Sequence, residues 1–356
     1  MLSIPHLDKS YTWLVTGGAG FIGSHLVENL LRLDQRVRVL DNFSTGKREN
    51  LDEACSLVSP DQSKELELVV GDIQDESLLH SAIADVDYVL HQAALGSVPR
   101  SFHSPLATNS SNVTGFLTLL EAARQESEKN GRIKSFVYAS SSAVYGDHPA
   151  LPKSEGVIGN ALSPYAASKR ADELYAQAFS SVIRFPITGL RYFNVFGPRQ
   201  DPEGAYAAVI PRWTSSLIHG QECVINGDGE TSRDFCFVSN VVLANILSAL
   251  SHRHPETQQN ASKTPAVYNV AAGARTDLLQ LYSEIKDAVE QLTGTSLDLA
   301  PRHAEFRAGD VRHSLADISK IQSELGFRVQ THLKEGIEQT VKWFYSSSSP
   351  QDPSAT

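Results

Sequence analysis

The sequence has 356 residues, enough to bury a full hydrophobic core, and its 41% apolar and 20% charged content excludes disorder as the default. A formal net charge of -10 argues against a general nucleic-acid or anionic-membrane binder, and no apolar run approaches the roughly 20 residues that span a bilayer. Cys55, Cys223 and Cys236 match neither a metal spacing nor a disulfide framework; with a polar start that lacks a signal-peptide core, they lead us to expect no metal and a reducing, cytoplasmic setting.

In chain order, Tyr11-Thr12-Trp13-Leu14-Val15-Thr16 reads as a strand running into Gly17-Gly18-Ala19-Gly20-Phe21-Ile22-Gly23. A helical pattern follows over residues 25–32, then a strand at Val37-Arg38-Val39-Leu40 that ends in Asp41. This strand, glycine turn, helix, strand and acid are the context a dinucleotide fingerprint requires. Gly17 lets the chain turn, Gly20 admits a pyrophosphate to the helix N-terminus, and Gly23 allows close helix packing. Asp41 can accept hydrogen bonds from an adenosine ribose and would repel a 2′-phosphate, which favours NAD over NADP.

The alternation continues. Residues 66–70 form a strand ending in Gly71-Asp72-Ile73, with Asp72 placed to meet an adenine amino group. Residues 88–94 form another strand, in which His91 reads as a core histidine and Ala93 and Ala94 leave room for a cofactor. A long amphipathic helix is expected over residues 109–128, then a strand at Ser135-Phe136-Val137-Tyr138-Ala139. Its carboxyl end delivers Ser140-Ser141-Ser142-Ala143-Val144-Tyr145-Gly146 to the edge where open α/β sheets bind ligands. Ser163 and Pro164 suit a helix cap and first turn, so Tyr165 and Lys169 stack one turn apart on a helix running to about residue 180. A free tyrosine, with a pKa of about 10, is a poor base at neutral pH; an ammonium one turn away stabilises its phenolate.

A further strand at residues 187–192 leads into Phe193-Asn194-Val195-Phe196-Gly197-Pro198. From residue 200 onward Pro and Gly become frequent and Arg212, Arg233, Arg302 and Arg307 stand isolated, as in a smaller lobe where arginine forks can grip a diphosphate. The expected fold is α/β, a Rossmann-type doubly wound parallel sheet with a smaller C-terminal substrate-binding lobe. Its expected division is a dinucleotide domain over 1–190 with sheet strands continuing around 191–197 and 235–272, a lobe over 198–345, and a disordered Ser/Pro-rich tail over 346–356. Residues 251–265 read as a surface loop.

From about residue 11 to 345 the chain resembles extended short-chain dehydrogenase/reductases acting on nucleotide sugars, and more narrowly the 4-epimerases of UDP-N-acetylhexosamines. The resemblance is carried by Gly17-x-x-Gly20-x-x-Gly23, by Leu95-Gly96-Ser97-Val98-Pro99-Arg100-Ser101, by residues 189–202, 204–213 and 225–237, and by Arg307-Ala308-Gly309-Asp310-Val311-Arg312-His313-Ser314. It implies NAD as cofactor, held by Gly17, Gly20, Phe21, Ile22, Asp41, Asn42, Ser44, Thr45, Gly46, Asp72, Ile73, Gln92, Ala93, Ala94, Tyr165, Lys169, Tyr192 and Val195. It implies a UDP-sugar site at Ser97, Ser141, Ser142, Tyr165, Asn194, Ala208, Val209, Arg212, Val224, Asn226, Arg233, Arg307, Asp310 and Ser314. Tyr165 is then the base, Lys169 its electrostatic partner and ribose anchor, and Ser142 or the adjacent Ser141 the hydroxyl bridging to the sugar O4. C4 passes hydride to NAD, the 4-keto sugar swings over about its diphosphate, and hydride returns to the other face. A homodimer through helices over residues 104–128 and 165–180 is implied as well.

Two features narrow the expectation. Nucleotide-sugar 4,6-dehydratases of this fold carry an Asp-Glu pair after the hydroxyl residue, whereas here Ser141 is followed by Ser142-Ala143. Ser314 matches a position where glucose/galactose-selective enzymes can carry tyrosine, so a serine leaves room for an N-acetyl group. UDP-N-acetylglucosamine and UDP-N-acetylgalactosamine are therefore the leading substrates, with their uronic acids as further candidates. The alternatives are UDP-glucose/UDP-galactose epimerisation, a net redox or decarboxylating reaction that would release NADH, and a non-catalytic NAD-binding sensor.

Overall fold

The computed structural model describes residues 7, 9–203, 207–251, 266–306 and 311–348. Six strands, β1 (Thr12–Thr16), β2 (Arg36–Asp41), β3 (Leu66–Val70), β4 (Tyr88–His91), β5 (Ser135–Ser141) and β6 (Ile187–Tyr192), join the strand Ala266–Val270 in one sheet. Their spatial order is Ala266–Val270, β6, β5, β4, β1, β2, β3, with every neighbour parallel. The order reverses at β1, which pairs with both β2 and β4, so a crevice opens beyond the carboxyl ends of β1 and β4.

Helices α1 (Phe21–Arg32), α2 (Arg48–Ser56), α3 (Pro60–Ser63), α4 (Glu76–Ala82), α5 (Val98–His103), α6 (Pro105–Asn109), α7 (Gly115–Asn130) and α8 (Pro164–Phe179) connect these strands. Alternate strand residues face opposite sides, as the pleat requires. Trp13 and Val15 pack with Leu26 and Leu30 of α1 and with Val241 and Leu243 of the helix Val238–Leu250. Leu14, Val89 and Phe136 pack on the other side with Phe116, Leu119 and Leu120 of α7. Each such fully buried side chain contributes about 1.5–3 kcal/mol before conformational entropy is charged against it. With both faces covered, the strands read as near-continuous apolar runs.

A third core gathers Ile210, Trp213 and Leu217 of the helix Val209–Ile218, Leu281, Ile285 and Val289 of the helix Leu278–Thr293, and Ile337 and Val341 of the helix Leu333–Ser348. A parallel strand pair, Val224–Asn226 with Arg302–Ala304, borders it. This smaller lobe stands at the end of the crevice because residues 193–196 leave β6 directly into it.

Some boundaries differ from the sequence reading. The strand expected over 88–94 ends at His91, so Gln92, Ala93 and Ala94 leave the sheet and border the crevice. The helix expected over 109–128 is divided into α6, a π turn at Ser110–Thr114 and α7. The closing helix runs to Ser348, past the expected break at 346; the buried Phe344 and a Trp343 Nε1 bond to Glu53 Oε1 (2.9 Å) hold its last turns on the body. Within the loop expected over 251–265, residues 252–265 lie outside the described residues, as do 349–356 of the tail. Among the described residues no helix is long and apolar enough to cross a membrane, and no group of His, Cys, Asp or Glu could hold a metal ion.

Candidate active site

The glycine turn is built by close backbone approach. Gly17 adopts φ +67°, and a Cβ there would lie 2.7 Å from Ala93 N; one on Gly23 would meet Gly17 O at 2.1 Å. Gly20 caps α1 without a side chain, so the helix N-terminus keeps its amides directed at the crevice. Asp41 is held from both oxygens, accepting Ala19 N–H at 2.9 Å and Phe43 N–H at 2.8 Å. Asp72 accepts from Asn42 Nδ2 at 2.8 Å and from Gln74 N at 2.9 Å, which joins the ends of β2 and β3.

Around this frame lies a cavity of about 400 Å³. All the residues expected to hold the cofactor line it, from Gly17 and Asp41 at one end to Tyr165, Lys169, Tyr192 and Val195 at the other. Gln92 is fixed there: its Oε1 accepts from Tyr192 Oη at 3.0 Å and its Nε2 donates to Asn245 Oδ1 at 3.0 Å. Burial raises the Tyr192 phenol well above its ordinary range, so it stays a neutral hydrogen-bonding group.

A second cavity, of about 570 Å³, opens between the sheet edge and the lobe. Ser97, Asn194, Ala208, Val209, Arg212, Val224, Asn226 and Arg233 line it together. Val195 borders both cavities, and Gly96 and Ser97 pass from one to the other. Ser97 has φ +91°, an unusual backbone for a residue with a Cβ, and its Oγ accepts Arg100 N–H at 3.3 Å to cap α5. Ser314 lines neither cavity; it is half-buried beside the lobe, its N–H donating to Ser232 O at 3.0 Å. Arg307 and Asp310 lie outside the described residues.

The three serines have different surroundings. Ser140 Oγ donates to Glu173 Oε1 at 2.8 Å, a carboxylate also gripped by Arg191 (2.8 and 2.9 Å) and Arg170 (2.9 Å). Burial would raise Glu173, but the Arg191 hydrogen bonds and charge outweigh it and hold the carboxyl below its usual value. Ser141 borders the first cavity and accepts Ala143 N–H at 3.1 Å, capping a 3-10 turn at Ser142–Tyr145. Ser142 opens that turn and is not among the lining residues of either cavity. Ser163 Oγ caps α8 through Ala166 N–H at 3.1 Å, with Pro164 in its first turn; this puts the half-buried Tyr165 and the buried Lys169 on its cavity side.

His91 is sealed in the core, its Nδ1 2.7 Å from Thr16 Oγ1; burial and the Lys169 charge push it down to about 3, so it is neutral throughout the physiological range. The sequence reading missed Asn112. In the π turn, fully buried, it accepts Leu95 N–H at 2.7 Å and donates to Leu95 O (3.2 Å) and Ser168 Oγ (3.0 Å). It thereby locks the Leu95–Ser97 segment to the helix bearing Tyr165 and Lys169. The available signal was an asparagine on the apolar side of a helical pattern, opposite a serine placed between those two residues.

Taken together, a hydroxyl, a phenol and a buried ammonium line one cavity, which has a bare helix N-terminus and adjoins a second cavity with two arginines. Among the described lining residues the carboxylates are Asp41 and Asp72, both at the far end of the first cavity.

Comparison with known proteins places this arrangement. A family model described as GDP-mannose 4,6 dehydratase matches residues 14–340. The UDP-glucose 4-epimerase of Mycolicibacterium smegmatis is 36% identical, covering 94% of this chain and 99% of its own. A solved UDP-N-acetylglucosamine 4-epimerase from Methanobrevibacter ruminantium M1, in complex with UDP-N-acetylmuramic acid, is 39% identical with a TM-score of 0.83, covering 95% of this chain and 99% of that one. The UDP-glucose 4-epimerase of Thermus thermophilus, solved in complex with NAD, is 33% identical with a TM-score of 0.75, covering 94% of this chain and 98% of that one. The chain belongs to the extended short-chain dehydrogenase/reductase family, in the branch described by the GDP-mannose 4,6-dehydratase model.

Proposed function

We propose that the protein is an NAD-dependent UDP-sugar 4-epimerase whose substrates are UDP-N-acetylglucosamine and UDP-N-acetylgalactosamine, with the corresponding uronic acids as secondary substrates. The observation that carries the reading is the convergence of Ser141, Tyr165 and Lys169 in one cavity that adjoins a second one lined by Asn194, Arg212 and Arg233.

The residues present fit the cofactor. The side-chain-free Gly20 cap leaves α1 able to receive a pyrophosphate, and Asp41, held at the end of β2, suits ribose hydroxyls and disfavours a 2′-phosphate. NAD, when bound, supplies a reversible two-electron acceptor for the sugar C4. The chain supplies the rest. Tyr165 takes the O4 proton and returns it, Lys169 stabilises the phenolate and anchors the ribose, and Ser141 shares the proton with O4. Ser141 is favoured over Ser142 because it borders the cavity. Arg212, Arg233 and Asn194 hold UDP, and few other charged side chains line the cavities near the reacting end, so the 4-keto hexose can present either face.

A dehydratase needs an acid and a base beside the hydroxyl, and Ser142-Ala143 supplies neither. The N-acetylated preference is supported by the similarity to the Methanobrevibacter enzyme. The Mycolicibacterium relative supports the competing UDP-glucose reading. An NMR time course of the purified protein with UDP-N-acetylglucosamine, then with UDP-glucose and UDP-glucuronic acid, separates them. Conversion of the N-acetylated sugar at the higher kcat/KM is expected; faster turnover of UDP-glucose overturns the preference, and silence on all three overturns the epimerase assignment.

A further inference from the structure

Beneath the catalytic pair lies a buried carboxylate that the reaction as drawn does not use. We propose that Asp172 is a positioning residue for Lys169: it holds the ammonium from behind and sets how strongly that cation stabilises the Tyr165 phenolate. The proposal rests on the epimerase reading of Tyr165 and Lys169.

The geometry is specific. Lys169 Nζ lies 3.3 Å from Asp172 Oδ2, three residues further along α8, with the Lys169 side chain 2% exposed and that of Asp172 0%. Asp172 Oδ1 has no hydrogen-bond partner among the described residues, so the carboxylate is tied to the lysine alone. An isolated buried charge is costly, and so is a half-satisfied one. The two groups therefore move as a unit, and a rotamer-rich lysine is reduced to a fixed point charge whose field is partly cancelled.

The groups facing Asp172 are few. On α8 they are Lys169 and Glu173, the latter already saturated by Arg191, Arg170 and Ser140. From β5 comes Tyr138, kept neutral by burial, and from β4, through Lys169, the neutral His91. Of the segments packed on α8, α6 and the π turn carry no ionisable side chain. The segment α5 carries Arg100 and His103, and the 3-10 turn carries Tyr145, raised to about 12 mainly by burial. On α7 the charges nearest the middle of the helix, Glu121 and Arg124, are paired with each other at 2.7 Å. Burial lifts Asp172 itself to about 7 against the pull of Lys169, so the brake on the lysine strengthens as pH rises through neutrality.

Tyr165 and Asp172 are seven residues apart, about 10 Å along the helix. At an effective dielectric of about 20, removing one charge at that distance moves a pKa by about one unit. The test titrates the tyrosinate absorbance of the protein as purified, and of Asp172→Asn and Asp172→Ser, each against its own Tyr165→Phe counterpart. It also records the pH profile of kcat/KM. In both neutral variants the Tyr165 titration and the acid limb of the profile are expected to move lower, by up to about one pH unit, the full shift being reached where Asp172 is ionised; two variants of different size guard against one that folds poorly. Superimposed titrations in a folded variant overturn the role of Asp172. Absence of epimerase activity in the wild type instead overturns the reading beneath it, and the tyrosinate titration still decides whether Asp172 governs Tyr165.

Discussion

Ser140 Oγ donates to Glu173 Oε1 across 2.8 Å, and through that bond the end of β5 is fastened to the helix that carries Tyr165 and Lys169. The same carboxylate receives both arms of Arg191 from β6, both side chains being 3% exposed. Glu173→Ala would strand a buried guanidinium and is expected to cost about 3–5 kcal/mol of stability, read by urea denaturation. The pH dependence follows from the lowered folded value. The contribution is fully present above the ordinary glutamate value of 4.5 and is lost as pH falls through the lower folded one. Glu173→Gln should therefore flatten the acid side of the stability curve, and an unchanged acid slope would show that the pair is not coupled to folding.

The serines should separate kinetically. Tyr165→Phe is expected to lower kcat by roughly 10²–10⁴-fold, the usual range for losing a positioned acid–base group, while NAD still binds. Ser141→Ala should lower kcat well beyond Ser142→Ala, because Ser141 borders the cavity and Ser142 opens the turn beyond it. Equal effects, measured by NMR on the same UDP-sugar, would return the bridging role to the pair.

Asp41 is expected to read the cofactor. Asp41→Asn removes the charge and keeps an acceptor for only one of the Ala19 and Phe43 amides. We expect the preference for NAD over NADP to fall about tenfold or more, about 1.4 kcal/mol or more, by equilibrium binding to the protein stripped of nucleotide. Unchanged discrimination would place the selecting group elsewhere in the crevice.

Substrate size should be read at Ser314. Ser314→Tyr is expected to depress kcat/KM for the N-acetylated sugars by about 10–200-fold relative to UDP-glucose, the range that pocket-filling discrimination commonly spans. Retention of both activities would remove the volume argument, which the absence of Ser314 from the lining of either cavity makes a demanding test.

What the chain discloses before folding is what depends on local spacing. Gly17, Gly20 and Gly23 are legible because a turn and a helix start lie within seven consecutive residues, and Tyr165 with Lys169 because one helical turn joins them. Asn112 and Glu173 are not legible in the same way. On a helical wheel they are polar residues like any other, and their roles exist only once Leu95 and Arg191 arrive from elsewhere in the chain. The π turn is hidden for a related reason: a widened turn leaves no mark in a periodicity, and it is held open by the side-chain bonds of Asn112. Ser140 looks like an equal of its neighbours in the sequence because only the strand register decides which hydroxyl is spent on Glu173.

The same helices present an apolar surface to solvent. Phe102 of α5 is 60% exposed, Leu106 of α6 85% and Leu174 of α8 50%, while α6 packs against α8. Leu106 and Leu174 lie within the ranges 104–128 and 165–180 through which a homodimer is expected, and apolar side chains grouped on adjacent helices are what such an interface would bury. We expect sedimentation equilibrium to give twice the chain mass. Leu106→Glu with Leu174→Glu should give the monomer with an unchanged far-ultraviolet circular dichroism spectrum, since neither side chain belongs to the sheet core. A wild type that sediments as a monomer would remove the dimer, and a double variant that stays dimeric would move the interface to another face.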